Sequence, residues 1–319
     1  MPALITGASG FVGSHLARHL HALGQDVHGL GRGAAVAGYD AFHHADLRDA
    51  AAMQQVISVA QPDVIFHLAA QSAVPQSWED PAGTIVNNLV GEINLLEAIR
   101  KAALDPVIVV AVSSDAYGRV PMGLDLVDED VPFRPLSPYA VSKAAQDLLS
   151  YQYAVGRGMR IIRMRTFNHL GPGQSDRFAI PSFARQLAEI EAGRRQPLLE
   201  TGDLMAERDF TDVRDVARAY ALAAERCRPG EAYNVGSGIG RRIGDLLQAL
   251  ADLCRVPIQI HQDPARLRPV DVPRMVCDAT RFRAATGWAP TISLEQSLRD
   301  VLDDWRGRVA SGEVTDRAL

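Results

Sequence analysis

Short apolar runs alternate with longer amphipathic stretches through the first half of the chain, and this alternation constrains the fold most. The runs cover residues 3–6, 26–30, 63–68, 106–112 and 160–165, and helical periodicity covers 12–23, 49–60, 84–103 and 138–155. The runs do not alternate strictly between apolar and polar residues, as is typical of parallel strands buried on both faces. The pattern predicts an α/β fold with a doubly wound parallel sheet. The alternation of strands and helices also predicts a strand at 41–44, although the residues of this segment give only weak support for one.

The second half of the chain has a looser pattern. Helical stretches lie near 183–192, 213–225, 243–254 and 294–305, separated by short strands and by proline-rich loops such as 263–273. We interpret residues 1–166 as one domain and residues 167–319 mainly as a smaller C-terminal α/β region that binds substrate. Some segments of the second half are expected to return to the first domain.

Composition excludes several classes of protein. Of 319 residues, 47% are hydrophobic and 22% charged, which is ample for a buried core, and the net charge of −5 argues against nucleic-acid binding. No apolar stretch approaches the length of a membrane span, and the N-terminus lacks the features of a signal peptide. The three cysteines match no zinc spacing. We expect a cytoplasmic protein without a nucleic-acid, membrane or metal partner.

Three glycines, Gly7, Gly10 and Gly13, directly follow the first apolar run and open the first helix. In such a loop the glycines allow a tight turn, close approach of a phosphate, and close packing of the helix on the strand. The unpaired N–H groups of the helix N-terminus then face the phosphates. The spacing predicts a Rossmann dinucleotide site formed by this loop with Phe11 and Val12. A tight strand–helix turn without a ligand is the alternative.

The second apolar run ends at Gly31-Arg32-Gly33, with no acidic residue to bind a ribose 2′-hydroxyl. A guanidinium group could bind a 2′-phosphate instead. Arg32 therefore favours NADP(H), with NAD(H) possible, although a solvated loop cation would explain the residue equally well.

Other residues at strand ends extend this candidate cofactor site. Asp46 and Leu47, after the weak third strand, are placed to meet the adenine, and Asp46 could also cap the next helix. Leu68, Ala69 and Ala70 end the fourth strand, and small side chains there would let a cofactor lie across the sheet.

Tyr139 and Lys143 are four residues apart and follow Ser137-Pro138, a typical helix start, so both lie on one helix face. The lysine charge and the helix dipole are expected to lower the tyrosine pKa. Ser113 ends the fifth apolar run, at the edge where α/β proteins bind ligands. The three side chains could polarise a carbonyl and exchange a proton with it. An ordinary exposed Tyr–Lys pair is the alternative.

These motifs, with Ser113–Gly118 and Ser137–Lys143, resemble the extended short-chain dehydrogenases/reductases over about residues 3–306. Members act mainly on nucleotide-diphospho-sugars. Residues 165–174, 207–216, 263–273 and 278–290 resemble the subgroup that reduces GDP-4-keto-6-deoxy-D-mannose. The resemblance implies NAD(P)H-dependent reduction of this C4 ketone to GDP-D-rhamnose. An NDP-sugar 4,6-dehydratase of the GDP-mannose type, or a 4-epimerase with tightly held NAD(P), is the alternative.

The resemblance also implies individual roles. Tyr139 would be the acid/base, Lys143 its electrostatic partner and a ligand of the nicotinamide ribose, and Ser113 a second donor to the substrate oxygen. Asn88 would belong to the cofactor site. The residues implied to bind the nucleotide-sugar are Asn168, Arg208 and Arg268. Family members pair through helices corresponding to 84–103 and 138–155, so a homodimer is expected, unless these apolar stripes only face their own sheet.

Asp115 departs from the pattern of the family's dehydratases, which carry a glutamate two residues before the Tyr of this Tyr-Gly pair. Aspartate is shorter by one methylene, and a carboxylate displaced by about 1 Å can lose much of its catalytic effect. The residue therefore disfavours a dehydratase without excluding it. We retain Asp115 as a candidate catalytic residue, with a structural role in the loop as the alternative.

Overall fold

A parallel sheet of seven strands is the centre of the computed structural model, which describes residues 2–121, 123–267 and 272–312. The strands of the described chain are β1 (Ala3–Thr6), β2 (Val27–Gly31), β3 (Ala41–His44), β4 (Val64–His67), β5 (Val107–Ser113), β6 (Ile161–Thr166), β7 (Asn168–Leu170), β8 (Leu198–Thr201), β9 (Glu207–Asp212), β10 (Ala232–Val235), β11 (Gly240–Arg242), β12 (Gln259–Gln262) and β13 (Arg274–Met275). The central sheet has the order β3-β2-β1-β4-β5-β6-β10.

Helices cover both faces of this sheet. The α-helices are α1 (Phe11–Ala22), α2 (Ala50–Ala60), α3 (Val74–Glu79), α4 (Pro81–Lys101), α5 (Pro138–Arg157), α6 (Ala179–Glu191), α7 (Val213–Arg226), α8 (Ile243–Asp252), α9 (Thr280–Thr286) and α10 (Leu294–Ser311). Alternate residues of β5 belong to two different cores: Ile108 and Val110 pack with α2 and α4, whereas Val107 and Val109 pack with α1 and α7. This two-sided burial confirms the doubly wound parallel sheet that the apolar runs predict.

The two edge strands of the central sheet, β3 and β10, are the ones that the apolar pattern indicates least clearly. β3 forms at the predicted position and pairs in parallel with β2. The sequence of β3 lacks an apolar run because its residues are half-buried or exposed. At the other edge, β10 pairs in parallel with β6, and α7 packs against α1. The sheet therefore includes segments from both sides of residue 166.

The remaining elements form a smaller α/β region. Helices α6, α8 and α10 share one apolar core with β8 and β9. Strands β7, β11 and β13 pair with β9, and β8 pairs with β12. No helix in the described parts of the chain combines the length and apolar character that crossing a bilayer requires.

Candidate active site

A cavity of about 770 Å³ lies between the carboxyl ends of the sheet strands and the smaller region. It brings together most of the residues that the sequence predicts for the site: Gly7, Gly10, Phe11, Val12, Gly13, Arg32, Asp46, Leu47, Leu68, Ala69, Ala70, Ser113, Asp115, Tyr139, Lys143, Asn168 and Arg208. Asn88 does not line this cavity, and Arg268 lies outside the described residues.

The glycine loop leaves no space for side chains on two of its glycines. Gly7 has a φ of +70°, and a Cβ there would lie 2.9 Å from the backbone of Ala69. A Cβ on Gly13 would lie 2.6 Å from the carbonyl oxygen of Gly7. Helix α1 begins after Gly10 without a side-chain cap, so its first N–H groups remain available to a ligand. This cradle fits a dinucleotide pyrophosphate.

Arg32 directly follows β2 and is exposed on the wall of the cavity. The neighbouring Asp46 accepts hydrogen bonds from Arg48, including one of 2.6 Å, and these bonds lower the pKa of Asp46. The capping role considered for Asp46 is wrong, because the side chain that caps α2 is Asp49, which accepts from the backbone N–H groups of residues 51 and 52. Asp49 immediately precedes the helix, whereas Asp46 lies too far upstream.

The candidate catalytic side chains meet where β5 ends and α5 begins. Ser113 is the last residue of β5, and Ser137 caps α5 by accepting from the N–H of Ala140 at 3.1 Å. The cap places Tyr139 in the first helical turn and Lys143 in the second. Both side chains are buried, and the Tyr139 hydroxyl lies within hydrogen-bonding reach of Ser113. The geometry therefore assembles the predicted group.

The pKa of Tyr139 differs from the sequence prediction. Burial raises it, the nearby Asp115 carboxylate raises it further, and the interaction with Ser113 opposes this only in part. Lys143 is not among the groups that lower it, and its Nζ donates to the carbonyl oxygen of Ala111 at 2.8 Å. Burial lowers the pKa of Lys143 itself to about 8, against a raising effect of Glu92. The phenol is therefore protonated at neutral pH.

Asn88 has protein partners instead of a place on the cavity wall. Its Oδ1 accepts from the N–H of Gln71 at 2.7 Å, and its Nδ2 donates to the Gln71 carbonyl and to Ser142 Oγ. Ser142 in turn donates to the Tyr139 carbonyl. In this structure the amide is saturated by protein groups and fixes α5 behind the catalytic side chains, and a place for Asn88 in the cofactor site stays a prediction.

The opposite wall of the cavity carries the residues implied to bind the substrate. Asn168 begins β7, and the buried Arg208 of β9 donates to the carbonyl oxygen of Glu207 at 2.9 Å. Two exposed arginines that the sequence analysis did not select, Arg177 and Arg266, also line the cavity. Arg177 lies in the loop that follows Gly171-Pro172-Gly173, and Arg266 ends a short 3₁₀ helix that starts at Pro264. An arginine next to such turn residues is the signal that could have identified them.

Comparisons with known proteins agree with this arrangement. The family described as GDP-mannose 4,6 dehydratase matches residues 4–301. A GDP-6-deoxy-D-mannose reductase from Pseudomonas aeruginosa is 39% identical over 96% of this chain and 97% of its own length. The structure of RMD from Pseudomonas aeruginosa complexed with NADPH has a TM-score of 0.87 at 37% identity, over 96% of this chain and 99% of that one.

A UDP-glucose 4-epimerase from Thermus thermophilus, solved with NAD, has a TM-score of 0.86 at 33% identity, over 96% of this chain and 99% of that one. Reductases and epimerases thus share this architecture, and their structures hold either NADPH or NAD. The chain belongs to the GDP-mannose 4,6-dehydratase family, within the NAD(P)-dependent extended short-chain dehydrogenases/reductases.

Proposed function

We propose that the protein reduces the C4 ketone of GDP-4-keto-6-deoxy-D-mannose with NADPH and produces GDP-D-rhamnose. The observation that carries this proposal is a protonated Tyr139 beside Ser113, in the same cavity as the glycine loop. The full-length similarity to a GDP-6-deoxy-D-mannose reductase supports the choice of substrate.

The protein groups supply the proton for this reaction, and a bound dihydronicotinamide supplies the hydride. The Tyr139 hydroxyl gives its proton to the C4 oxygen as C4 becomes a secondary alcohol carbon. Ser113 Oγ accepts from the N–H of Asp115 at 3.2 Å, which leaves its own hydrogen to donate to Tyr139 or to the substrate oxygen. Lys143 would hold the nicotinamide ribose.

The substrate diphosphate would bind the arginines of the opposite wall. Arg208, Arg177 and Arg266 line this wall, and guanidinium groups suit phosphate because their planar donors meet two oxygens at once. Asn168 adds a neutral amide at the start of β7. We assign the nucleotide-sugar to this wall and the dinucleotide to the glycine loop.

A dehydratase or epimerase is the second candidate function. Asp115 keeps it open, although aspartate is shorter than the dehydratases' glutamate, because this carboxylate lines the cavity and is close enough to raise the pKa of Tyr139. Such an enzyme would oxidise the sugar first, and Tyr139 would then have to act as a base. The raised pKa of Tyr139 disfavours that first step and suits proton donation to a ketone.

Cofactor stoichiometry separates the two functions. Purified protein is mixed with NADPH and GDP-4-keto-6-deoxy-D-mannose, and NADPH oxidation and sugar product are both measured. The proposal predicts equal amounts of oxidised NADPH and GDP-D-rhamnose. Conversion of GDP-mannose or of a UDP-sugar without net NADPH oxidation would overturn it in favour of the second function.

We also propose that NADPH is preferred to NADH. Arg32 lies at the end of β2, and the segment from Gly31 to Val36 contains no carboxylate to bind a ribose 2′-hydroxyl. A 2′-phosphate would gain a charge-assisted hydrogen bond from this guanidinium.

A second copy of the chain is the partner that we propose for the outer face of α4 and α5. Exposed apolar side chains recur on α4 at helical spacing (Val86, Val90 and Ile93) and on α5 at every second turn (Val141, Leu148 and Val155). Pairing of two such faces would bury both stripes. Sedimentation should give a dimer for the wild type and a monomer for Leu148→Glu, and a monomeric wild type would contradict the proposal.

A further inference from the structure

A buried carboxylate of α5 is bound by two arginines of the neighbouring strand β6. Asp147 has no exposed surface, and it lies one helical turn after Lys143. Its Oδ1 accepts from Arg163 at 2.6 Å, and its two oxygens accept from Arg165 at 2.7 and 3.0 Å. One guanidinium would already balance this carboxylate, so the second brings a positive charge that Asp147 does not require.

The two arginines differ in their other hydrogen bonds. Arg163 donates to the carbonyl oxygen of Gly230 at 2.9 Å, and Gly230 precedes β10, at the amino end of that strand and away from the cavity. Arg165 donates from Nη1 to the Tyr117 hydroxyl at 3.0 Å and to the carbonyl oxygen of Glu129 at 2.8 Å. Arg165 is therefore the arginine of this pair that reaches the segment after β5.

Tyr117 is the last residue of a short 3₁₀ turn, Ser114–Tyr117, which directly follows Ser113. Its side chain has no exposed surface, and its hydroxyl donates to Asn234 Oδ1 of β10 at 2.7 Å while accepting from Arg165. The guanidinium carbon also lies 5.4 Å from the centre of the Tyr117 ring. Buried hydrogen bonds and ring packing thus hold the end of the turn.

These contacts connect the turn to α5 through one guanidinium. Asp115 lies in the turn, two residues before Tyr117, and Tyr139 lies on α5, two helical turns before Asp147. Arg165 bonds both elements because its planar fork presents several donors in fixed directions, which the single ammonium of a lysine does not. A change in this link would move the turn relative to the start of α5.

We propose that Arg165 is a positioning residue that holds the turn Ser114–Tyr117 against α5 and so fixes Ser113 and Asp115 relative to the Tyr139 hydroxyl. Arg165 and Tyr117 do not line the cavity, so they act through the residues that they hold. The inference rests on the proposed function, in which Tyr139 is the proton donor. It adds a buried arginine of β6 to the candidate site.

The first test is the steady-state kinetics of Tyr117→Phe with NADPH and the keto-sugar. The substitution keeps the ring and removes the hydroxyl that bonds to Arg165 and Asn234. We expect kcat to fall roughly tenfold to hundredfold, because a small displacement of reacting groups has effects of this size. The KM for the sugar and the NADPH dissociation constant should not change, since the loss concerns only the reacting geometry.

Tyr153→Phe is the matched control for this substitution. Tyr153 is also a buried tyrosine, it lies on α5, and its hydroxyl donates a hydrogen bond to Glu97 at 3.0 Å. The control therefore loses a bond of the same kind away from the turn, and its kcat should equal that of the wild type. A wild-type kcat in Tyr117→Phe would overturn the proposal, and so would an equal loss in both variants.

A second pair of variants separates positioning from charge balance. Arg165→Lys and Arg163→Lys each keep a positive charge near Asp147 but lose the planar fork. Positioning predicts that kcat falls only in Arg165→Lys, whereas equal losses in the two variants would mean that both arginines serve only to balance Asp147. Circular dichroism establishes that each variant is folded. If Arg165→Lys does not fold, Tyr117→Phe and its control decide.

Amide hydrogen exchange tests the inference without sugar or cofactor. The N–H of Asp115 donates to Ser113 Oγ at 3.2 Å, and the N–H of Gly118 donates to the Asp115 carbonyl oxygen at 3.0 Å. Exchange at these two amides should be faster in Tyr117→Phe than in wild type and unchanged in Tyr153→Phe. Unchanged exchange in Tyr117→Phe, or an equal increase throughout the central sheet, would contradict positioning.

The exchange measurement also separates this inference from the proposed function. A wild-type protein that does not reduce the keto-sugar would overturn the proposed function. The exchange rates of the turn would still show whether the link from Tyr117 to Arg165 holds Asp115 in place.

Discussion

The ammonium group of Lys143 donates a 2.8 Å hydrogen bond to the carbonyl oxygen of Ala111, two residues before Ser113 on β5. The strand that ends with the serine therefore also holds the lysine of α5. Tyr139 lies one turn before Lys143, on a helix whose start is fixed by Ser137. Strand and helix thus position the three candidate catalytic groups as one unit.

Replacing Tyr139 with phenylalanine should abolish proton transfer and leave the cofactor site intact. Loss of a general acid costs about 10²–10⁴ in rate, so turnover of the keto-sugar should fall by at least about a hundredfold. The NADPH dissociation constant should change little, because the phenol adds no bulk to the glycine cradle. Steady-state rates and fluorescence titrations measure the two quantities. Turnover at the wild-type rate would remove Tyr139 from the mechanism.

Wild-type NADPH affinity should fall as the pH rises through about 8, the value to which burial lowers the pKa of Lys143. The lysine carries its charge below this pKa, so the NADPH affinity is highest on the acid side of this pKa and falls on the alkaline side. Tyr139 cannot cause this change, because its own pKa is raised away from this range. In Lys143→Arg the affinity should be independent of pH here. A similar alkaline loss in that variant would point to another group.

Alanine at Gly13 should disrupt the cradle. Its Cβ would lie 2.6 Å from the Gly7 carbonyl oxygen, so helix α1 must move away from the loop. We expect weaker NADPH binding and a loss of about 1–3 kcal/mol in the free energy of unfolding. Gly307→Ala in α10 is the control, because no atom beyond its chain neighbours and its own helix backbone lies within 4 Å of its Cβ position. That change should leave binding unaltered, and equal effects of both substitutions would contradict the account.

Arg32→Ala should reduce the preference for NADPH over NADH. Loss of a charge-assisted hydrogen bond to a 2′-phosphate is worth about 1.5–3 kcal/mol, or roughly a tenfold to hundredfold drop in the ratio of kcat/KM values. NADH turnover should be almost unaffected. Arg100→Ala on α4 is a suitable control, since that residue pairs with Glu97 away from the cavity. An unchanged ratio would mean that Arg32 is only a solvated loop cation.

The sequence could predict the parts of the fold that depend on local pattern. The apolar runs located β1, β4, β5 and β6, since strands buried on both faces are rich in apolar residues. The pair Ser137-Pro138 located the start of α5 and, with it, Tyr139 and Lys143. Strands such as the exposed β12 and the two-residue β13 carry no such pattern, so the sequence could not place them.

Properties that depend on tertiary packing could not be predicted. The pKa of Tyr139 is set by the surrounding helices and strands, which exclude water from it, and by Asp115 from another segment. The saturation of Asn88 by Gln71 and Ser142 joins three distant positions. Spacing along the chain records neither burial nor partners of this kind, which is why the expected pKa shift of Tyr139 needed correction and the partners of Asn88 could not be predicted.

The late position of β10 in the chain has a consequence during protein synthesis. β6 leaves the ribosome well before its neighbour Ala232–Val235, and until then one row of its backbone N–H and C=O groups has no strand to pair with. A nascent chain that stalls in this interval would present an open sheet to other chains and invite aggregation. Complete translation through β10 therefore pairs β6, and the four-residue β10 takes its place as the edge strand.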